Sequence, residues 1–536
     1  MILQITLISL LAFLGSIGTP FFFGTTGGFY VLGRPLIASF LVGLITGDMD
    51  TALKVGIVIQ SMYIGIVTPG AVLPFDVSLI GYIAPALIIM SNANANLAAT
   101  LTVPIGLLGV MMWNFTYVAN VYFVHRADKE ADKGSIKGVI HNNLLPQVLN
   151  FILRFGITFA ILFLGKGYLE KIVAFIPAWL NNILSAIGAL LPALGIGLLL
   201  NMIVKNKLHI GLFIVGYILT VYLKLPIIAI AILGTVLALA IFESQKGNNS
   251  ALNSVTNASN EEDMSKKSGL LDSKTLNSTF WKWLFFNGCS QSGERMQGIG
   301  FAHAMTPVIE KLYGNDKNET REALKRHTMI FNVEPQIGSV VLGTVSALEE
   351  QRAQGGDIDD DTINTIKVAL MGPLSGIGDT LIPGTLIPLM LAIAIALTQS
   401  AGVAGPIFYA VAYLLFTIFY SKLLFKFGYK TGVEGIQSIM SNGQLDGLTN
   451  ALNVLGLLVI GSLSATYINV QTKLQYASGD MKIKLQSILD NIMPGLIGFV
   501  FVFFIYWLIA KKKFSALKII GLIFLIGIVL GGLGVI

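Results

Sequence analysis

The sequence predicts an all-α polytopic membrane protein, built as two related helical bundles with broken or re-entrant helices. Three observations predict it. Of 536 residues 54% are hydrophobic and 12% charged, and the mean hydropathy is +0.75, which excludes a soluble assembly. The net charge of +6 is no nucleic-acid signal, because the positive residues collect in short loops at His125–Lys137, Lys205–His209 and Lys511–Lys513, the pattern of cytoplasmic loops. In each half, finally, one apolar stretch is cut by prolines and glycines and carries an acid.

The first half is expected at 1–243. Met1–Leu14 is apolar at once, with no Lys or Arg before Arg34, and reads as a retained membrane segment whose start faces outward. Several of the apolar runs that follow are shorter than the roughly 20 residues a span needs, so some must be half-length or re-entrant. Asp48 in GDMD suits a helix N-cap. The interrupted stretch of this half is Gly65–Asp76, GIVTPGAVLPFD, preceded by Gln60 in an otherwise apolar helix. Residues 244–280 are rich in Asn, Ser, Lys and acids and read as a flexible linker. Met264, opening MSKK, looks like a former translation start, so the chain is expected to join two genes.

The second half is expected at 281–536. It opens with interfacial amphipathic helices to Gly314, anchored at headgroup level by Trp281 and Trp283. A helix follows over Thr320–Leu348, containing Asn332, Glu334 and Pro335. Glu349, Glu350 and Arg352, like Arg126–Lys137, read as exposed charge, either solvated or a docking face, and Asp359–Asp361 as a solvated helix start rather than a cation site. Val368–Leu389, VALMGPLSGIGDTLIPGTLIPL, is the second interrupted stretch, with Asp379 at its middle. Its prolines remove amide donors, so it is not expected to form one smooth helix. Further spans close the chain, the last two joined by KKKFS, which puts the C-terminus outside.

Broken backbone at membrane depth is tolerated where it lines a cavity, and an intramembrane acid is by default functional. Paired half-helices of this kind build transporter sites. A sugar requires rigid bidentate hydrogen-bonders, and Gln60, Asp76, Asn332, Glu334 and Asp379 are the polar groups available in apolar or broken segments. Structural alternatives stand beside this reading. Asp76 and Asp379 suit helix caps, Gln60 and Asn332 interhelical hydrogen bonds, and Glu334 the amide freed near Pro335. His125, His209 and His327 are expected at the interface and His303 on an amphipathic helix. Cys289, the lone cysteine, makes a thiol metal site untenable, no metal or cofactor is expected, and no Walker motif is present.

The second half resembles the IID component of the mannose-family sugar phosphotransferase system (PTS), through ERMQGIGFAHAMTPVIEKLY at Glu294–Tyr313, ALEEQRAQGGDIDDDTINTIKVALMGPLSGIGD at Ala347–Asp379 and IMPGL at Ile492–Leu496. The first half is similar to the IIC component, through RPLIASFLVGLITGDMDTALKVG at Arg34–Gly56, the segment ending at Asp76 and HRADKEADKG at His125–Gly134. The resemblance implies a bacterial cytoplasmic-membrane permease, not itself an enzyme, that binds a hexose or hexose derivative between its halves. It implies soluble IIA and IIB partners, the sugar being phosphorylated from a IIB histidine. It also implies a core and a V-shaped scaffold in each half, elevator-like movement, a homotrimer of IIC/IID units and, in some members, bacteriocin or phage docking. Two departures point away from mannose and glucose. Gln60 stands where such members carry glutamate, and Leu-Ile-Pro follows near Asp379 where they carry Phe-Trp, removing a charge and an aromatic face. A different hexose, an amino sugar, a sugar acid or a glycated amino acid stays open, as does an ion- or proton-coupled secondary transporter in which Asp76 and Asp379 carry the coupling charge.

Overall fold

The structure is a computed structural model of residues 1–536 and describes all of them except 66–74, 176–177, 205–206, 254–268, 357, 442–443, 469, 479–480, 515 and 536. The middle of the Gly65–Asp76 stretch and Met264 therefore lie outside the described residues.

In the first half α1 (Ile2–Leu14), a single turn α2 (Gly24–Gly27) and a π-helical turn (Gly28–Leu32) lead into α3 (Pro35–Thr46), α4 (Met49–Met62) and α5 (Val77–Met90). Then come α6 (Ala98–Asp132), α7 (Ile136–Leu144), α8 (Pro146–Phe175), α9 (Ala178–Ile203), α10 (Lys207–Val221) and α11 (Ile227–Asn253). The second half begins with α12 (Ser273–Phe286), α13 (Gly298–Tyr313), α14 (Lys317–Thr328), α15 (Pro335–Ala353) and α16 (Asp360–Leu381). A π-helical turn (Ile382–Leu386) joins α16 to α17 (Ile387–Ala401), followed by α18 (Ala404–Ser441) and α19 (Gln444–Tyr467). A small antiparallel hairpin, β1 (Gln475–Ser478) on β2 (Met481–Lys484), pairs Gln475 with Lys484 and precedes α20 (Leu485–Ile492), α21 (Leu496–Ala510) and α22 (Ala516–Gly532). Helix α11 runs past the expected start of the linker and α12 begins before its expected end.

Acidic caps start many of these helices. Asp48 accepts from the Thr51 amide at 3.0 Å, Asp272 from Thr275 at 2.7 Å and Asp359 from Thr362 at 2.7 Å, each satisfying an amide the helix cannot. Among the described residues, four helical stretches are long and apolar enough to cross a membrane: Pro104–Asp132, Ile136–Gly165, Asp360–Ala401 and Ala404–Gly432. Two helix pairs bend sharply, by 73° between Gly24–Leu32 and Pro35–Thr46 and by 74° between Leu485–Ile492 and Leu496–Ala510.

The halves are interleaved. A first core joins Val42, Ile59 and Ile80 to Leu391, Val459 and Ile505. A second joins Trp283, Phe301, Phe331 and Val341 to Val124, Ala127 and Val139 of the first half. Three expectations change here. Val368–Leu389 is not broken open: α16 continues through the π-turn into α17. The wider register lets Pro383 enter without an amide to give, Ile387 donates to the Ile382 carbonyl, and Thr385 Oγ1 donates to the Thr380 carbonyl at 2.9 Å. The helix expected over Thr320–Leu348 is two, because Pro335 sits at the first position of α15 with Glu334 as its cap. The segment after Trp281 is core rather than interface. Trp283 is fully buried and donates to the Pro335 carbonyl at 2.8 Å, and α13 is buried on every side from Gly298 to Thr306.

Candidate functional site

Where the halves meet, a cavity encloses about 510 Å³ of space, part of it open to solvent. Ile17, Thr25, Phe29 and Tyr30 line it from the first half. Asn287, Gln291 and Gln297 come from the α12–α13 connection, Asn332 to Pro335 from the break between α14 and α15, and Asp379 from α16.

Local structure explains each contribution. Phe22 and Phe23 both sit at positive φ (50° and 62°), a conformation costing about 1–3 kcal/mol at each such residue. Phe23 is held there by the rings of Trp281 and Phe285, at 6.4 and 5.5 Å, and the turn that follows delivers Thr25, Phe29 and Tyr30. Pro335 ends any helix before it and Glu334 caps the next, its Oε2 accepting from the amides of Gln336 and Ile337 at 3.0 Å each. With its amide nitrogen toward Glu334, the Gln336 side chain accepts from Thr26 Oγ1 at 2.7 Å, tying the cap to the first half. Gly378 lets α16 lie against this cap, since a Cβ there would meet Glu334 Cβ at 2.5 Å.

Some polar groups on the cavity are already used. Thr25 Oγ1 donates to Asn287 Oδ1 at 3.3 Å, Asn287 Nδ2 to the Trp283 carbonyl at 2.8 Å, and Gln297 Oε1 accepts from the Val333 amide at 3.3 Å. The carboxylate of Asp379, the side-chain amides of Gln291 and Asn332 and the amide nitrogen of Gln297 have no protein hydrogen-bond partner among the described residues. The walls thus offer a carboxylate and carboxamides that accept and donate, beside two rings, which is chemistry suited to a polyhydroxylated ligand.

Of the five residues expected in the site, the structure brings Asn332, Glu334 and Asp379 together on this cavity, and Gln60 and Asp76 are not among its lining residues. Asp76 is fully buried in the first half, where its carboxylate caps α5 at the Leu79 amide (3.0 Å) and takes both terminal nitrogens of buried Arg154. Asp76 thus stands apart from the cavity that Asp379 lines, with a structural cap and ion pair as its partners. Gln60 is buried too, and its Oε1 accepts from the Leu36 amide at 3.4 Å, at the start of α3. Sequence reasoning missed Arg154, although a lone guanidinium in the apolar run of α8 demands an anion. It missed Gln291 and Gln297 as well, which nothing local distinguishes from the polar face of an amphipathic helix.

The charged residues near α15 also change. Glu349 is buried, bound by Arg326 through two bonds of 2.6 Å, by His327 Nε2 at 2.8 Å and by the Tyr313 hydroxyl at 2.7 Å, while Glu350 is nearly buried and accepts from the Leu271 amide at 2.8 Å. Burial alone would raise the Glu349 carboxyl, yet the hydrogen bonds from Arg326 and His327 hold it well below the usual carboxylate range. Burial pushes His327 down to about 4, so it stands neutral, donating through Nε2. Both groups lie outside the membrane-crossing stretches. Among the described residues no group of three or more His, Cys, Asp or Glu is placed to hold a metal ion.

Residues 2–240 match the family model described as the PTS sorbose-specific IIC component, and residues 270–536 the model of the PTS mannose/fructose/sorbose family IID component. The mannose-specific EIID component of Escherichia coli K12 is 35% identical over 264 residues, which are 48% of this chain and 92% of that protein. The N-acetylgalactosamine permease IIC component 1 of the same strain is 28% identical over 233 residues, 43% of this chain and 87% of that protein. Among solved structures, the mannose transporter ManYZ in complex with microcin E492 is similar at 34% identity, covering 50% of this chain and 99% of that chain with a TM-score of 0.30.

Proposed function

The chain belongs to the mannose/fructose/sorbose family of PTS permeases and carries IIC and IID components in one polypeptide, and on that premise we propose that its inter-half cavity binds a hexose or hexose derivative for phosphorylation by a separate IIB protein. As a multi-pass transport component it supplies the binding site and the route, and the phosphoryl group comes from the partner. We place it in a bacterial cytoplasmic membrane, with the basic end of α6 on the cytoplasmic side.

The observation that carries the reading is the unpaired set on the cavity wall: Asp379, Gln291, Asn332 and the nitrogen of Gln297. A carboxylate accepts from two adjacent hydroxyls at once, and a carboxamide accepts with one atom while donating with the other. Phe29 and Tyr30 supply an apolar face for the C–H side of a pyranose ring. The aromatic face absent near Asp379 is thus present from the other half. The relatives' names range over mannose, fructose, sorbose and N-acetylgalactosamine, so the sugar is assigned only as a hexose or derivative.

The test uses vesicles that carry the full chain and enclose IIA, IIB and phosphoenolpyruvate, offered mannose, fructose, sorbose and N-acetylgalactosamine in turn. Sugar phosphate should accumulate inside, and only when phosphoenolpyruvate is present. Accumulation of unmodified sugar driven by a proton or sodium gradient would overturn the proposal in favour of a secondary transporter.

A further inference from the structure

Helix α6 leads from the cavity to a charged rim. Asn120 Nδ2 donates to the backbone carbonyl of Gln291 at 2.8 Å, at the level of the cavity. Five residues further, about 7.5 Å along the helix axis, α6 meets the second half again. His125 lies 3.3 Å from Glu294, and Asp128 lies 3.4 Å from Arg295. Arg295 stands two residues before Gln297, which lines the cavity.

The guanidinium of Arg295 is poorly used. Its contacts are one long ion pair to Asp128 and a 3.4 Å approach to Met329 Sδ, with 27% of the side chain exposed. Arg326, by contrast, is buried and binds Glu349 through two bonds of 2.6 Å. An arginine presents five donors in a planar fork that matches the oxygens of a phosphoryl group. Further along this end of the molecule Arg126, Lys129 and Lys133 of α6 and Lys137 of α7 are exposed, alternating with Glu130 and exposed Asp132, and Lys133 pairs with Glu130 at 2.7 Å, so the rim is mixed in charge and Arg295 is its cation nearest the cavity-lining Gln297 in sequence.

Resting on the group-translocation reading above, we propose that this rim docks the phosphorylated partner protein and that Arg295 exchanges Asp128 for the partner's phosphoryl oxygens. The phosphoryl group then stands at the cavity mouth. The bond from phosphorus to the partner's imidazole nitrogen breaks as the bond to a sugar hydroxyl oxygen forms, and the hydroxyl proton ends on the imidazole. Arg295 undergoes no bond change. It neutralises the phosphoryl oxygens and sets their direction.

The test measures binding of ³²P-labelled phospho-IIB to the full chain, and sugar phosphate formation as phospho-IIB is varied, with whichever of the four sugars above wild type phosphorylates. Arg295→Gln should raise the apparent KM for phospho-IIB by about tenfold or more and leave the Kd for sugar within about twofold, with partial recovery in Arg295→Lys. Asp128→Asn releases the guanidinium and should keep or lower that KM. If Asp128→Asn reproduces the loss of Arg295→Gln, the pair merely ties the halves and the proposal fails. It fails equally if Arg295→Gln weakens sugar binding as much as phospho-IIB binding, or moves neither. Absence of phosphoenolpyruvate-dependent sugar phosphate in wild type would instead defeat the underlying function, before any variant is compared.

Discussion

The sharpest test of the site's boundaries is the pair Asp76 and Arg154. Both side chains are at most 3% exposed, and the carboxylate holds the Leu79 amide at 3.0 Å as well as the guanidinium. Removing one charge leaves the other buried without compensation, which costs about 3–5 kcal/mol, or roughly a hundred- to several-thousand-fold in the folding equilibrium. Asp76→Asn and Arg154→Gln should therefore each destabilise strongly. The double variant places two neutral amides where the ion pair was, and asparagine still caps α5. Its cost should fall to about 1–2 kcal/mol, the cost of imperfect amide pairing, so the singles are far from additive. Thermal denaturation in detergent reads the stability, and phosphoenolpyruvate-dependent sugar phosphate formation reads the function. The expected result is a stable, active double variant. If Asp76→Asn instead folds normally, loses sugar phosphorylation and is not rescued by Arg154→Gln, Asp76 touches the sugar and its assignment to structure is wrong.

Three further outcomes follow from the geometry. Asp379→Asn should lower sugar phosphate formation at subsaturating sugar by about ten- to a hundredfold, the worth of a charged hydrogen bond, with an unchanged melting temperature; an unchanged rate removes Asp379 from the site. Gly378→Ala should cut activity sharply because its Cβ would strike Glu334 Cβ at 2.5 Å, whereas Gly376→Ala, with nothing within 4 Å, should keep activity and gain up to about 1 kcal/mol of helix stability; equal effects at the two glycines contradict the packing. His327, whose pKa burial pushes down to about 4, takes up its proton more readily unfolded, near pH 6.5, so stability is full above that and falls as pH drops toward 4, by at most about 1.4 kcal/mol per pH unit. His327→Gln should flatten that part of a melting-temperature profile, leaving the loss that Glu349 imposes once pH drops below the ordinary carboxylate value of about 4.3.

Class and capping were readable from the residues alone, because hydropathy and an acid ahead of a helix act locally. Asp48 and Asp359 cap as expected. Glu334-Pro335 was itself a helix start signal, lost only because the surrounding apolar run suggested one long helix. What could not be read was pairing at a distance. Asp76 at the end of a Pro/Gly stretch fits a cap and a ligand equally well, and the discriminator is Arg154, 78 positions away. Glu349 looked solvated among ALEEQRAQGG, yet Arg326 and His327 from α14 enclose it. The density of prolines and glycines around Asp379 suggested an open break, although a π-turn over Ile382–Leu386 absorbs them within a continuing helix.

That continuity has a mechanical consequence. Leu370 and Leu374 of α16 belong to the second core, while Leu381, Ile382 and Ile387 belong to the first, so one helix is fastened at both ends to different bodies. Asp379 lies at the handover. Its neighbours on the cavity, Asn332 and Glu334, are built on the second core, whose Phe331, Val333 and Ile337 flank them, and Phe29 and Tyr30 belong to the first. Any displacement of one core against the other must therefore bend the helix at its π-turn, where the hydrogen-bond ladder is widest, or shift Asp379 relative to the cap at Glu334. Either response changes the spacing of the groups assigned to the sugar, so the proposed site would respond to the relative position of the two cores.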